Sequence, residues 1–244
     1  MTHVLSFAAG MRALTAKLCC HWRLKASLSI GLTVFFAVPY FTLQRWTLFE
    51  PLLFEEGWID RRVPFEPGWV WTYQSVYALF GLPAWLSTSA DRLRRHACGF
   101  VAVSLVGFAT FAVLPVRCPR PEALPESGLF AFLVAYDRPL NAFPSLHCAY
   151  TTYSVLFALS GLGPETAPWT RRIIASALVV WMGAIVYSTL ATKQHYFVDV
   201  LAGAGIATFV HCVVVGRGAS RSSAGDVRER RVSCNRVSGN NGKA

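Results

Sequence analysis

The chain has 244 residues, 54% of them apolar and only 15% charged, with a mean hydropathy of +0.40. Soluble domains carry about 25% charged residues, so this balance excludes an ordinary water-soluble domain and points to the bilayer. The net charge of +10 would suit nucleic acid, but its distribution along the chain argues against that partner.

Residues 1–25 form a basic N-terminal segment. It lacks the basic start and small-residue cleavage site of a signal peptide. Arg12, Lys17 and Arg23 could lie along an amphipathic helix at the headgroups, and a partly ordered terminus fits the same residues. Six apolar blocks follow, at about 26–43, 69–87, 97–116, 147–163, 173–191 and 196–216, each at or near the roughly 20 residues a spanning helix needs. The fourth is short and rich in Tyr, Ser and Thr. The expected fold is therefore all-α, an integral membrane bundle of six transmembrane helices over 26–216. In the connection after the first block, Trp46, Phe49, Leu53 and Trp58 stand among acidic residues, a composition that suits the membrane interface or an ordinary loop. Residues 217–244 are rich in Ser, Gly and Arg, as expected of a disordered basic tail.

Sixteen of the Lys and Arg residues fall in the N-terminal segment, the connections at 88–96 and 164–172, and the tail; seven fall in the other three connections. The positive-inside rule then puts both termini in the cytoplasm, where the basic tail meets anionic headgroups rather than DNA. The expected location is a plasma or bacterial inner membrane. Cys118 and Cys148 alone fall toward the outer face, where a disulfide is permitted. No Cys-x-x-Cys pair indicates a metal site.

This topology brings two distant polar stretches to one depth and one face. Pro144-Ser145-Leu146-His147 enters the fourth block, and His195 to Asp199 enters the sixth. His195 and Asp199 are four apart and share a helical face. A carboxylate accepting from one imidazole nitrogen fixes the tautomer and leaves the other nitrogen as nucleophile or base. An ionisable residue within a spanning segment is functional by default, and Asp199 is one. Each feature also has a plainer reading: an interfacial histidine, a local hydrogen bond, or Ser145 as a helix cap. Together they favour a site. Arg117, Arg120 and Arg138 in the 117–146 connection supply forks that suit phosphate oxygens, and a helix start after Pro144 would point N–H groups at an anion. Histidines and arginines without a carboxylate or thiolate cluster favour a phosphate ester over a metal.

Phe143-Pro144-Ser145-Leu146-His147 followed by His195-Tyr196-Phe197-Val198-Asp199 resembles the type-2 phosphatidic acid phosphatase superfamily. Ala142-Phe-Pro-Ser-Leu-His147 with Ser188-Thr-x-x-Thr-x-x-His-Tyr-x-x-Asp199 is most similar to its inositol phosphorylceramide synthase-like branch. The resemblance covers most of 60–212 and includes Pro64-Phe65-Glu66-Pro67. It implies that His195 attacks phosphorus to give a phosphohistidine, that Asp199 orients His195, and that His147 protonates the leaving oxygen and later activates the acceptor. Ser145 and the arginines of the 117–138 stretch would hold the phosphate, with no metal and no cofactor. Two departures stand out. Thr189 follows Ser188 where family phosphatases usually carry Arg, with Lys193 as a candidate replacement charge. The Lys-x6-Arg-Pro motif is absent in register, since Val113 and Ala131 precede Arg120 and Arg138 by seven. The synthase-like branch resembles this chain in both respects, which implies transfer to an alcohol.

The expected activity is cleavage of a lipid phosphate or phospholipid at the outer face, with transfer to a lipid hydroxyl or to water. The competing reading is a non-enzymatic transporter or lipid-binding scaffold on the same frame. Ala202-Gly203-Ala204-Gly205 permits close helix packing, within the bundle or between chains.

Overall fold

The computed structural model describes residues 11–214 except residue 13. The 217–244 tail and residues 1–10 and 13 of the N-terminal segment lie outside the described residues. Residues 14–19 are helical. Then come α1 (Trp22–Leu43), α2 (Trp58–Arg62), a 3₁₀ turn at Pro67–Trp69, α3 (Val70–Gln74) and α4 (Val76–Trp85). They are followed by α5 (Ala90–Val113), α6 (Gly128–Tyr136), α7 (Leu146–Leu159), α8 (Pro168–Ala191) and α9 (Phe197–Val214). Two short strands, β1 (Leu52–Leu53) and β2 (Val116–Arg117), pair in parallel and tie two connections together.

The chain is predominantly helical, and α1, α5, α8 and α9 are each long and apolar enough to cross a membrane. The other two apolar blocks are shorter as helices. The second is broken at Ser75 into α3 and α4, and α7 has 14 residues. Helix α5 starts seven residues before its apolar block, because Ser89 caps it by accepting from the Arg92 N–H at 3.3 Å. Asp91 and Arg95 then pair across one turn at 2.6 Å, so charged residues extend a helix whose apolar part alone announces a span.

The position of α7 explains its polar composition. It packs against α4, α5 and α8, and Thr151 and Ser154 are fully buried with Tyr153. A helix enclosed by other helices need not present an apolar face to lipid. Its contact with α5 is close enough that a Cβ on Gly99 would stand 1.9 Å from the Tyr153 hydroxyl. The principal core joins Phe100, Val103 and Phe111 of α5 to Leu146, Ala149 and Tyr150 of α7 and Ala207 and Val210 of α9. The outward faces are apolar too. Ile30, Val34 and Val38 are exposed along one side of α1, and Val180 and Phe209 are exposed on α8 and α9. Such stripes are what hydrocarbon requires of a helix surface.

Candidate active site

Ser145 begins the site as the N-cap of α7. Its Oγ accepts from the Cys148 N–H at 3.2 Å, and its own N–H donates to the Asp199 carbonyl at 3.0 Å. The second bond joins the start of α7 to the start of α9. Gly203 makes that approach possible, because a Cβ there would lie 2.3 Å from the Ser145 carbonyl oxygen. The small-residue run of α9 thus serves packing within the bundle at Gly203, whereas a Cβ on Gly205 would meet nothing within 4 Å.

The turn between α8 and α9 presents His195. Lys193 adopts a left-handed φ of 52°, and the N–H groups of Gln194 and His195 both donate to the Thr189 carbonyl, at 3.1 and 3.3 Å. The ring centroids of His147 and His195 are 6.0 Å apart, so the structure brings these two histidines together. Nδ1 of His195 lies 2.8 Å from the Ala142 carbonyl oxygen. A carbonyl only accepts, so Nδ1 carries the proton and the lone pair resides on Nε2. Asp199 is fully buried. Its Oδ2 lies 3.6 Å from His195 Nδ1 and accepts from the Tyr196 N–H at 2.7 Å, while Oδ1 has no partner among the described residues. The carboxylate therefore stands beside His195 beyond hydrogen-bond distance, and a backbone carbonyl makes the direct hydrogen bond.

His147 stacks on the Tyr73 ring with centroids 4.0 Å apart, and its Nδ1 lies 3.2 Å from the Tyr73 hydroxyl. Its Nε2 is buried and has no partner among the described residues. With Nδ1 protonated and donating to the Tyr73 hydroxyl oxygen, Nε2 is the nitrogen left to gain or lose a proton.

Of the three arginines, Arg120 is the one held beside His195. Its Nε donates to the Gln194 side-chain oxygen at 3.1 Å and its Nη1 to the Asp137 carbonyl at 2.8 Å. Its Nη2 stands 3.6 Å from Asp137 Oδ2. Asp137 also accepts from the Tyr40 hydroxyl at 3.1 Å and from the Gln44 amide. Burial pushes the Asp137 carboxyl above the usual carboxylate range, opposed by the Gln44 hydrogen bond and the Arg120 charge. Arg117 and Arg138 are exposed, and among the described residues neither guanidinium bonds to the histidine site.

The remaining candidates are engaged elsewhere. The Ser188 and Thr189 hydroxyls donate back along α8 to the Ile185 and Val186 carbonyls, at 2.6 and 2.8 Å. Lys193 donates from Nζ to the Asp60 carbonyl at 2.6 Å and lies 3.8 Å from Glu56. Cys118 and Cys148 are free, buried thiols in separate apolar clusters.

Sequence reasoning did not single out Tyr73, Gln44, Asp60 or Gln194. Asp60 is buried, and its Oδ1 accepts the Phe197 N–H at 2.7 Å at the start of α9. Only Gln194, adjacent to His195, carried a local signal. Among the described residues no three His, Cys, Asp or Glu side chains gather as a metal site.

Two imidazoles 6.0 Å apart, a buried carboxylate and a guanidinium therefore gather at one end of a bundle that contains four helices long and apolar enough to cross a membrane. The sequence profile of the PAP2 superfamily matches residues 39–213, and the chain belongs to that superfamily of lipid phosphatases and phosphotransferases. It is similar to phosphoinositol dihydroceramide synthase from Bacteroides thetaiotaomicron, with 26% identity over 164 residues. That stretch is 58% of this chain, and the chain spans half the length of this relative. No solved structure matches the chain.

Proposed function

We propose that this protein is an integral membrane phosphotransferase that takes a phosphoryl or phosphodiester group from a lipid through His195 and passes it to a lipid hydroxyl. What carries this reading is the 6.0 Å pair of histidines, one with a free Nε2 lone pair and the other with an unpartnered Nε2. In the first half-reaction the His195 Nε2 lone pair forms an N–P bond while the P–O bond to the leaving group breaks. His147, entering as the imidazolium with its Nδ1 proton on the Tyr73 side, gives its Nε2 proton to the departing oxygen and is left neutral. In the second half, His147 takes a proton from the incoming hydroxyl, the new O–P bond forms and the N–P bond breaks. Arg120 clamps the phosphate oxygens, with the α7 N-terminus behind Ser145 as a second source of positive potential. Asp199 stabilises the positive charge that develops on His195.

Transfer to a lipid hydroxyl is supported by the relative's name as a synthase and by Thr189, which keeps the position after Ser188 uncharged. Water as acceptor gives the phosphatase outcome of the same first half-reaction. In the proposed arrangement the chain crosses the membrane six times over 26–216, α3 with α4 and α7 being the second and fourth crossings. Residues 1–25 and 217–244 lie in the cytoplasm and the site faces outward.

The test uses purified protein and a lipid substrate labelled at phosphorus. Quenching in alkaline detergent should trap a base-stable, acid-labile phosphorylated histidine in wild type and none in His195→Ala. Adding ceramide or diacylglycerol should divert label from inorganic phosphate into a new lipid. Full turnover by His195→Ala would exclude the mechanism, and label appearing only in phosphate would assign the enzyme to hydrolysis.

A further inference from the structure

A cavity of about 440 Å³ lies between α1 and α4. It forms because α1 packs on α5 while α4 packs on α7, leaving the two helices apart. One end is lined by Tyr73, Asp137 and His147, so the cavity reaches one histidine of the site. The walls are apolar, with Phe36, Phe80 and Phe100 among them, and the small residues Ala37, Gly81 and Ala84 leave the bore open. Ser29 and Thr33 line it and are exposed, so it opens sideways along α1.

The far end is polar. Lys25 is 2% exposed, and its Nζ donates to the Lys17 and Trp85 carbonyls at 2.6 and 2.7 Å. His96, whose Nε2 has no partner, also lines the cavity. Lys25 and Tyr40 both line it and are 15 residues apart on α1, which places them about 22 Å apart at ~1.5 Å per residue. Half of a hydrocarbon core about 30 Å thick is only ~15 Å.

We propose that this cavity holds one hydrocarbon chain of the lipid phosphate and selects chains long enough to pass the bilayer midplane. Ala37 and Gly81 set the bore and Lys25 is the stop. An apolar wall that reaches one histidine of a phosphate site suits a chain attached to that phosphate. An ammonium already bonded to two carbonyls marks where an apolar terminus must end, because breaking those bonds for a methyl group costs free energy. The turnover assay rests on the proposed phosphoester chemistry; the occupancy assay does not.

With purified protein, kcat/KM is measured for lipid phosphates with short, medium and long acyl chains. It should rise with chain length in wild type, since each buried methylene adds to binding. Gly81→Leu on α4, between Tyr73 and Trp85, and Thr33→Phe on α1, midway between Tyr40 and Lys25, plug the bore beyond its site end, and each should lower the long-to-short ratio of kcat/KM by at least about tenfold. Leucine is a better helix former than glycine, so the first variant does not weaken α4. Turnover independent of chain length in wild type, or an unchanged ratio in both variants, overturns the proposal. Occupancy is read separately with a lipid phosphate bearing a diazirine on its terminal carbon. Label at Lys25, Trp85 or His96 supports the cavity even if no lipid phosphate is turned over, an outcome that would defeat the proposed function alone. Label confined to the outward face of α1 at Ile30 and Val34 overturns it.

Discussion

The Ala142 carbonyl holds His195 through Nδ1 at 2.8 Å, closer than the Asp199 carboxylate at 3.6 Å. Two different groups therefore flank the same ring nitrogen, a backbone carbonyl at hydrogen-bond distance and a carboxylate beyond it. Asp199→Asn keeps the Ala142 bond and with it the tautomer, and removes only the charge. It should lower kcat by about 10- to 100-fold, the order of one interaction with a charged group worth about 1.5–3 kcal/mol. A labelled phosphohistidine should still accumulate. Rapid-quench labelling checks this, and an Asp199→Asn variant as inert as His195→Ala would show that the carboxylate itself fixes the ring.

Tyr73 both stacks on His147 and reaches its Nδ1. Tyr73→Phe keeps the stack and deletes the hydroxyl. If His147 is the acid that protonates the leaving oxygen, the variant should lose about tenfold in kcat on a lipid substrate, the order of one lost hydrogen bond. A p-nitrophenyl phosphodiester, whose leaving group needs no proton, should be cleaved at nearly the wild-type rate. Equal losses on both substrates would make Tyr73 a packing residue only.

The facing motifs were legible because each carries several polar residues at the mouth of an apolar block, as Ser145 with His147 and His195 with Asp199 do. The helices were legible for the complementary reason: α1, α5, α8 and α9 are long apolar runs. What the sequence hid was partnership. Asp137, Gln44 and Tyr40 meet across more than ninety residues, and no local pattern encodes such a contact. Among the arginines only burial distinguishes Arg120, and exposure follows from tertiary packing. The nine residues of α6 are too few to register as a span, and the two-residue strands carry no periodicity at all.

Arg120 spans Gln194 and the Asp137 carbonyl with its fork, a geometry that a lysine cannot reproduce. Arg120→Lys should raise KM for a lipid phosphate by about tenfold or more and lower kcat as well, since charge-assisted bonds to phosphate are worth about 1.5–3 kcal/mol. Arg117→Ala and Arg138→Ala remove exposed side chains and should leave both constants within about threefold of wild type, as exposed ion contacts contribute little. Steady-state kinetics on the three proteins checks the ordering. An Arg138→Ala defect equal to that of Arg120→Lys would move the phosphate clamp to the exposed arginine.

Gly203 and Gly205 sit two residues apart on α9 and make opposite demands. A Cβ at 203 would meet the Ser145 carbonyl at 2.3 Å, and backbone cannot move aside as a flexible side chain can; a Cβ at 205 meets nothing within 4 Å. Gly203→Ala must therefore push α9 away from the N-terminus of α7. That stretches the bond from the Ser145 N–H to the Asp199 carbonyl and shifts His195 relative to His147. Overpacking of this kind costs about 1–3 kcal/mol, and a displaced catalytic pair loses rate steeply with distance. Gly205→Ala should be neutral or stabilising by about 0.4–1 kcal/mol through the unfolded chain. Thermal unfolding in detergent, paired with turnover, separates the two. The expected pattern is a lowered midpoint and reduced kcat for Gly203→Ala, against an unchanged or raised midpoint and normal kcat for Gly205→Ala. Tolerance of alanine at 203 in both assays would mean that α7 and α9 do not approach closely at the site.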